Sequence, residues 1–383
     1  MKRLNILWLT SWYPNKYDLF DGDFIQRHAR AASLHHDIHV ICVKGEENGI
    51  EQAVPPAMVD GLSETVLYSK GGSGIGARFH KQILWRQRFA DAVATHVAQH
   101  GLPHVVHVHI PWKAGLIALQ IKKQYGIPFI VTEHWGIYNK VVPDNFSNRS
   151  FVVRMLLARI IRESKVLVSV SKYLGKAISG TVTRKPYFVI PNVVDTSLFF
   201  ILPPPSGTFT FIHVSNMVPL KNVSGILLAY KQFRAQSSSV LSRLLMVGNR
   251  DEEWFRYAQS IGLTQGDVTF TGEISYPEVA RQMQRAHCVL LNSTIENAPC
   301  AISEALCCGL PVIATAVGGI PEMIHEGNGY LIPPSDDGAL ARAMHKMQTA
   351  YASFDRTRIA EEAAALYGTH SIAASFDKLY TGS

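Results

Sequence analysis

Residues 295–324 read IENAPCAISEALCCGLPVIATAVGGIPEMI, and the order of elements in this stretch decides the fold. The small and apolar residues after Pro299 predict a short helix over 299–308, since proline suits the first helical turn, where its missing N–H costs no hydrogen bond. Gly309 and Pro311 end that helix. The apolar run PVIATAV that follows predicts a buried strand. A helix that leads directly into a buried strand indicates a parallel α/β sheet.

The same alternation of apolar runs and amphipathic segments extends along nearly the whole chain. Strands are predicted over 4–10, 37–43, 64–69, 104–110, 128–134, 165–171, 187–191, 209–215, 243–249, 268–274, 288–293, 311–317 and 329–334. Predicted helices include 24–34, 78–98, 113–125, 150–162, 221–236, 252–261, 277–285 and 299–308. This alternation predicts parallel sheets that helices cover on both faces.

The length and a proline-rich segment predict two domains. A chain of 383 residues is too long for one ordinary core, and ILPPPSGT at 201–208 is a stiff, extended connection. We therefore predict a first domain over 1–200, a linker over 201–207 and a second domain over 208–366. Both are expected to be doubly wound, Rossmann-like α/β domains that face a central cleft, because open α/β sheets bind ligands at the carboxyl ends of their strands.

The composition is that of a globular protein with a basic balance. Hydrophobic residues make up 47% of the chain and charged residues 17%, and the net charge of +7 favours anionic partners such as nucleotide phosphates or an acidic membrane. No RNA- or DNA-binding signature is present, so nucleic acid is not an expected partner. No run approaches the roughly 20 apolar residues of a membrane span, and the apolar run near the start, ILWL, is too short for a signal peptide. The protein is therefore expected to be cytoplasmic.

The start of the helix in the opening stretch can hold an anion. Asn297 or Ala298 is the expected cap, so the backbone amides of Cys300 and Ala301 would point out of the helix without helical partners. The helix dipole adds the equivalent of about half a positive charge at that end. Both effects favour a phosphate group there.

Two glutamates flank this helix start. Glu304 shares a helix face with Cys300 and Ala301 and can accept two hydrogen bonds from a vicinal diol such as a ribose. Glu296 precedes the helix and can accept hydroxyls that lie beyond the phosphates. Diol, phosphates and hydroxyls in this order describe a nucleotide-sugar. Either glutamate alone is more often a solvated charge, and the rival use is the acid pair of a glycoside hydrolase, whose carboxylates face each other across roughly 5 to 10 Å.

The stretch ENAPCAISEALCCGLPVIATAVGGIPE resembles the signature of glycosyltransferase family 4, the glycosyl transferases group 1, which are retaining sugar-nucleotide transferases with the GT-B fold. The likeness lies in two glutamates eight positions apart, followed by Gly-x-Pro-Val and Gly-Gly-x-x-Glu. Other segments similar to the family are FDGDF, VHVHIP, TEHWG, VIPNVVDTSLF, VPLKN and YGTHSIAASFDKLY. The resemblance implies a GT-B fold in which a helix over 367–383 returns to the first domain.

In the second domain the resemblance implies a site for the donor. Glu304 would bind the ribose, Glu296 would bind hydroxyls of the donor sugar, and Lys221 would neutralise the diphosphate. The nucleobase would lie near Ile274. The arginine that the family usually has five positions before the lysine is replaced by Asn216, so one of two expected phosphate cations is missing at this donor-side position.

In the first domain the resemblance implies groups that approach the sugar and the acceptor. His134 would approach the donor sugar, and Gly22 would let backbone come close to the phosphates and the acceptor. His109 and Asp23 are the candidate residues on the acceptor side. His107 and His109 alternate on a strand and could instead bind a metal, although packing within the sheet is the simpler interpretation.

The expected function is retaining transfer of a sugar from a nucleotide-diphosphate sugar to a glycan or lipid-linked glycan, in the synthesis of cell-surface polysaccharide. The catalytic residues would be Glu296, His134 and Lys221. No metal and no cofactor other than the donor substrate are expected, and the departing phosphate would help to deprotonate the acceptor. The alternatives are a nucleotide-sugar epimerase or phosphorylase on the same fold, and a weakly active nucleotide-sugar-binding protein, which Asn216 makes conceivable.

Two basic amphipathic segments, 77–89 and 149–162, allow two interpretations. Each could lie on the anionic inner face of the plasma membrane, which a lipid-linked acceptor would favour. Each could equally pack its apolar stripe into the core and leave its basic side in solvent.

The remaining motifs predict ordinary structure. KGGSGIGA at 70–77, with Asp91 downstream, resembles a dinucleotide fingerprint, but Asp91 lies in a helical pattern, so a loop is expected instead. The cysteines form no CxxC pair and are expected to be reduced thiols, mostly in the core: Cys42, Cys288, Cys300, Cys307 and Cys308.

Overall fold

A computed structural model describes five stretches of the chain: 3–46, 58–70, 77–236, 241–249 and 252–382. Contacts divide the chain into two compact units. The first unit is formed by residues 1–193 and 370–383, and the second by residues 194–369. The proline-rich segment 201–207 lies within the second unit.

The described strands of the first unit form one parallel sheet in the order β3-β2-β1-β4-β5-β6-β7. The strands are β1 (Asn5–Thr10), β2 (Asp37–Glu46), β3 (Leu62–Lys70), β4 (Val105–His109), β5 (Phe129–Glu133), β6 (Val166–Ser169) and β7 (Tyr187–Val189). The helices between them are α1 (Asp23–Ala32), α2 (Ala77–His100), α3 (Ala114–Tyr125), α4 (Phe151–Glu163) and α5 (Lys172–Thr181). Both β4 and β5 are buried along their whole length, as is usual for parallel strands.

The described strands of the second unit form another parallel sheet in the order β10-β9-β8-β11-β12-β13. The strands are β8 (Phe209–Val214), β9 (Ser242–Val247), β10 (Val268–Phe270), β11 (Cys288–Leu291), β12 (Val312–Thr315) and β13 (Gly329–Ile332). The helices are α6 (Val223–Gln236), α7 (Glu252–Ser260), α8 (Tyr276–Gln284), α9 (Cys300–Cys307), α10 (Asp337–Ala350) and α11 (Arg356–Tyr367).

The last helix, α12 (Thr369–Thr381), completes the core of the first unit. Phe376 is fully buried there. The hydroxyl of Tyr380 accepts a hydrogen bond from Nε1 of Trp8 at 3.1 Å and lies 2.6 Å from Nδ1 of His107. Residues that follow the whole second unit in the chain are therefore part of the first hydrophobic core.

The predicted fold class is confirmed: both units are Rossmann-like, with parallel strands at every predicted strand position. The predicted start of one helix, at residue 221, was two residues too early. Residues Pro219–Lys221 form a 3-10 turn and α6 begins at Val223, because Asn222 between them has φ of 49°. Asparagine tolerates this left-handed conformation, which interrupts the helix.

Several weaker signals of the sequence have structural explanations. Trp85 donates its Nε1–H to the backbone oxygen of Val43 at 3.0 Å, and Phe89 is fully buried, so apolar side chains of α2 pack onto their own unit. Asp91 lies within α2 as predicted, whereas residues 71–76 lie outside the described residues. The five cysteines are free thiols, and four are buried. Within the described stretches, no helix combines the length and apolarity needed to cross a bilayer.

Candidate active site

Lys221 lies on the loop that follows β8 in the second unit. The backbone of this loop is unusual, because Met217 and Asn222 have left-handed φ values of 52° and 49°. The amide of Met217 donates to Oγ of Ser215 at 3.0 Å, which stabilises the bend. Asn216, at the position of the family arginine, is exposed. The loop holds the side chain of Lys221 at only 20% exposure.

Glu296 lies on the loop after β11 and forms an ion pair with Lys221. Its Oε1 lies 2.5 Å from Nζ of Lys221 and accepts a hydrogen bond from Oγ of Ser293 at 2.7 Å. A backbone hydrogen bond of 2.8 Å from the amide of Thr294 to the carbonyl of Leu220 joins the two loops. The structure thus brings two of the predicted catalytic residues into direct contact.

The Gly-Gly pair of the motif fixes the backbone of Glu296. Gly318 has φ of 57°, and a Cβ atom built on it would lie 1.8 Å from the carbonyl oxygen of Glu296. The amide of Gly319 donates to that same oxygen at 3.0 Å. A side chain at position 318 would therefore have to displace the loop that carries the glutamate.

The helix α9 begins one residue later than predicted. Pro299 is its N-cap, with φ of −68° and an extended ψ of 121°, so the prediction of Asn297 or Ala298 as cap was wrong. The reason is that a proline φ suits both an N-cap and a first helical residue, and only ψ distinguishes them. The first helical residues are now Cys300 and Ala301, whose amides precede the first intrahelical hydrogen bond.

Glu304 is buried, which excludes its interpretation as a solvated helix residue. It is 4% exposed, and its Oε1 accepts a hydrogen bond from the hydroxyl of Tyr276 at 3.0 Å. The ring of Tyr276 packs against Phe199, with centroids 4.8 Å apart. Tyr276 and Ile274, the residue predicted near the nucleobase, pack against one hydrophobic cluster. Sequence reasoning missed Tyr276. The one available signal was its position two residues after Ile274.

His134 follows β5 in the first unit and lies among other buried histidines. Its Nε2 is 3.2 Å from Nδ1 of His109, and the ring of His109 stacks on Trp8 with centroids 4.0 Å apart. Burial lowers the pKa of both histidines well below the usual range, so both rings are neutral at pH 7. A neutral imidazole offers one donor and one acceptor, which suits a hydrogen bond with a sugar hydroxyl.

Glu133 anchors the turn that carries His134, and sequence reasoning missed it. Its Oε1 accepts the backbone amides of His134 and Trp135, both at 2.9 Å, and its Oε2 accepts the hydroxyl of Tyr138 at 2.6 Å. Burial raises the pKa of Glu133 to about 7, although these three hydrogen bonds oppose the shift. The available signal was a carboxylate next to the predicted histidine at the end of an apolar strand.

Gly22 and Asp23 lie at the start of α1, where contacts within the first unit account for both residue types. Gly22 has φ of 71°, and a Cβ atom there would lie 2.7 Å from the backbone of Trp12. Asp23 pairs with Arg27, with Oδ2 and Nη1 2.5 Å apart. Their predicted closeness to phosphates and acceptor stays a prediction.

Two family models together match nearly the whole chain. The model "Glycosyltransferase Family 4" matches residues 25–198, and the model "Glycosyl transferases group 1" matches residues 194–364. The first therefore includes His134, and the second includes Lys221, Glu296 and Glu304.

Individual proteins resemble the chain over most of its length. A protein of Bacillus subtilis, provisionally named a teichuronic acid biosynthesis glycosyltransferase, is 24% identical over 368 residues, which cover 90% of this chain and 89% of that protein. A sucrose-phosphate synthase from Thermosynechococcus elongatus superposes with a TM-score of 0.79 at 21% identity, covering 99% of this chain and 98% of that one. Anabaena HepE in complex with UDP superposes with a TM-score of 0.74 at 16% identity, covering 99% and 100%. The two structural likenesses confirm the fold.

Proposed function

The chain belongs to glycosyltransferase family 4, the glycosyl transferases group 1, and on this premise we propose that it transfers a sugar from a nucleotide-diphosphate sugar to an acceptor hydroxyl with retention of anomeric configuration. The observation that carries this proposal is the burial of Glu304 within α9, just inside a helix start that favours phosphate. A buried carboxylate is costly unless hydrogen bonds offset its desolvation. A ribose diol can supply two such hydrogen bonds in addition to that of Tyr276.

Lys221 is the group proposed to stabilise the negative charge of the leaving diphosphate. Its ion pair with Glu296 holds the ammonium at a defined place before the donor binds, and preorganised charge is the form in which electrostatic stabilisation is most effective. Glu296 keeps further lone pairs for hydroxyls of the donor sugar. A nucleoside diphosphate is also what the solved Anabaena relative holds, since its complex contains UDP.

In the proposed reaction the bond between the anomeric carbon and the β-phosphate oxygen breaks, and the acceptor oxygen bonds to the same face of that carbon. The acceptor proton passes to the departing phosphate. The neutral ring of His134 would hydrogen-bond a sugar hydroxyl rather than exchange protons. Because Lys221 and the amides of Cys300 and Ala301 would carry the phosphate charge, the rate should be the same with and without added Mg²⁺ or Mn²⁺.

The decisive experiment is a thermal-shift screen of the full chain against UDP, GDP, ADP and their sugars. A ligand at about 100 times its dissociation constant stabilises a protein by about 2.7 kcal/mol, so one nucleotide series should raise the melting temperature clearly. Glu304→Ala should abolish this rise, whereas Glu361→Ala, which removes an exposed glutamate of α11, should preserve it. An undiminished shift in Glu304→Ala would contradict the ribose assignment. NMR of the anomeric proton of the product tests retention.

For the acceptor we propose a glycan or lipid-linked glycan of cell-surface polysaccharide, with the first unit peripheral on an anionic membrane. The support is an exposed apolar patch on α4, where Phe151, Val152 and Met155 are 72%, 57% and 50% exposed beside basic residues. Apolar side chains flanked by arginines suit the interface of an anionic bilayer. Vesicles containing phosphatidylglycerol should bind the chain, and Phe151→Ser should weaken this binding. Equal binding to neutral vesicles would contradict the electrostatic part of the proposal.

A further inference from the structure

Three histidines that the proposed transfer reaction does not use lie together in the first unit. His96 and His100 are four residues apart on α2 and therefore share one helix face. His39 lies opposite them on β2, with ring centroids 4.6 Å from His96 and 4.3 Å from His100. One ring nitrogen of each histidine lies within 4.8 Å of the corresponding nitrogens of the other two.

The burial of two of these histidines has no evident structural explanation. His39 and His96 are each only 5% exposed, and Nε2 of His96 is buried without a hydrogen-bond partner among the described residues. A buried nitrogen without a partner costs about 1–3 kcal/mol, so native structures rarely keep one for packing alone.

We propose that His39, His96 and His100 form a binding site for a divalent transition-metal ion of the zinc class. Imidazole nitrogens suit Zn²⁺, and two histidines four apart on a helix with a third on a neighbouring element present three donors to one point. Bonds of about 2.0–2.1 Å in tetrahedral geometry require nitrogens roughly 3.4 Å apart. The observed nitrogens lie within 4.8 Å of one another, so an ion would require them to approach by up to about 1.4 Å.

The surroundings supply an entry path and room for a fourth ligand. A cavity of about 380 Å³ borders all three histidines, and His100 is exposed at its edge. A water molecule from this cavity completes the coordination. The ion ties the last turn of α2 to the start of β2, within the first unit, whereas the proposed donor residues belong to the second unit.

A second trio, His28, His109 and His134, also brings three nitrogens within 4.8 Å of one another. Its ring nitrogens already make hydrogen-bond contacts. Nε2 of His28 lies 2.9 Å from the carbonyl oxygen of Pro191, and Nδ1 of His109 lies 3.2 Å from Nε2 of His134. This trio is the competing place for any metal that binds, so the experiment must distinguish the two.

The test uses the full chain without an affinity tag, freed of metal by dialysis against a chelator. Titration with Co²⁺ should produce the intense visible absorption of a tetrahedral site, with one ion bound per chain, and Zn²⁺ but not Mg²⁺ should remove it. His100→Ala deletes one ligand at an exposed position, where folding is least at risk, and should weaken Co²⁺ binding at least 10- to 100-fold. His80→Ala removes an exposed histidine of the same helix and is the matched control, for which binding should be unchanged.

Circular dichroism and the metal-free melting temperature of both variants should equal those of the parent chain, which separates ligand loss from misfolding. Two results would overturn the proposal. One is a parent chain that binds neither Co²⁺ nor Zn²⁺ at micromolar concentrations. The other is full retention of Co²⁺ binding in His100→Ala, which would place the ion elsewhere, with the second trio as the leading candidate.

Discussion

Replacing Glu133 by glutamine should change how the stability of the first unit depends on pH. Burial raises the pKa of Glu133 from 4.5 to about 7. The folded chain therefore holds this proton more tightly than the unfolded chain, and stability falls as the pH rises between these two values. At about 1.36 kcal/mol per pKa unit the full loss is on the order of 3 kcal/mol, of which about 2 kcal/mol falls between pH 5.5 and 7. Glu133→Gln has nearly the same shape but cannot ionise, so it should lack this loss.

The effect of Glu133 must be measured as the difference in the free energy of unfolding between the parent and the variant. Buried histidines of the same unit change the stability with pH in the opposite direction. Burial lowers the pKa of His28 and His39 to about 4 and that of His96 to about 3, so their contributions rise with pH up to about 6.5. These contributions are common to the parent and the variant and cancel in the difference.

The assay is urea denaturation at pH values from 5.5 to 8, followed by tryptophan fluorescence. Five of the six tryptophans belong to the first unit, so the signal mainly reports its unfolding. The free energy of unfolding of the parent minus that of Glu133→Gln should fall by about 2 kcal/mol up to pH 7 and then level off. Glu361→Gln, which changes an exposed glutamate, serves as control and should give a flat difference. A flat difference for Glu133→Gln would refute the reasoning, since the buried carboxyl would then titrate as it does in the unfolded chain.

Three further predictions concern the second unit. Gly318→Ala should destabilise the chain and lower donor turnover, because the new Cβ would lie 1.8 Å from the carbonyl oxygen of Glu296. The control is Gly262→Ala, because Gly262 also has a left-handed φ, of 85°, but a Cβ there would meet nothing within 4 Å. This control measures the cost of a left-handed alanine alone, which is about 1–2 kcal/mol. Lys221→Ala should slow sugar transfer by about 10²- to 10³-fold, whereas the variant should remain folded, as its melting curve will show. An unchanged rate in a transfer assay would contradict the proposed role of Lys221. Tyr276→Phe should weaken nucleotide binding in the thermal-shift screen and cost about 1–3 kcal/mol in stability, because a buried carboxylate loses a hydrogen bond; unaltered binding would mean that the tyrosine does not position that carboxylate.

Much of the fold was predictable because buried parallel strands are continuous apolar runs, which one sequence displays directly. The boundaries that failed depend on single backbone angles. The N-cap of α9 is determined by the ψ angle of Pro299, and the start of α6 is determined by the left-handed φ angle of Asn222. Neither angle follows from residue type alone, since proline and asparagine each allow both outcomes.

The candidate site was predictable where its residues are close in sequence and not where they meet through the fold. Glu296, Glu304 and the Gly-Gly pair lie within one stretch, so their spacing was visible. Tyr276 reaches Glu304 from 28 positions earlier, and the contact between Lys221 and Glu296 spans 75 positions. Such contacts require the order of the strands, which the sequence pattern does not specify.

The return of α12 to the first core has a consequence for synthesis on the ribosome. Phe376 and Tyr380 are translated only after all of residues 194–369, yet they pack with Trp8 in the same buried cluster. At about 5–20 residues per second the nascent first unit waits roughly 10–40 s before its core can close. During that interval its unfinished apolar surface is available to chaperones, so the N-terminal half should depend on them more than a domain whose core is contiguous in sequence.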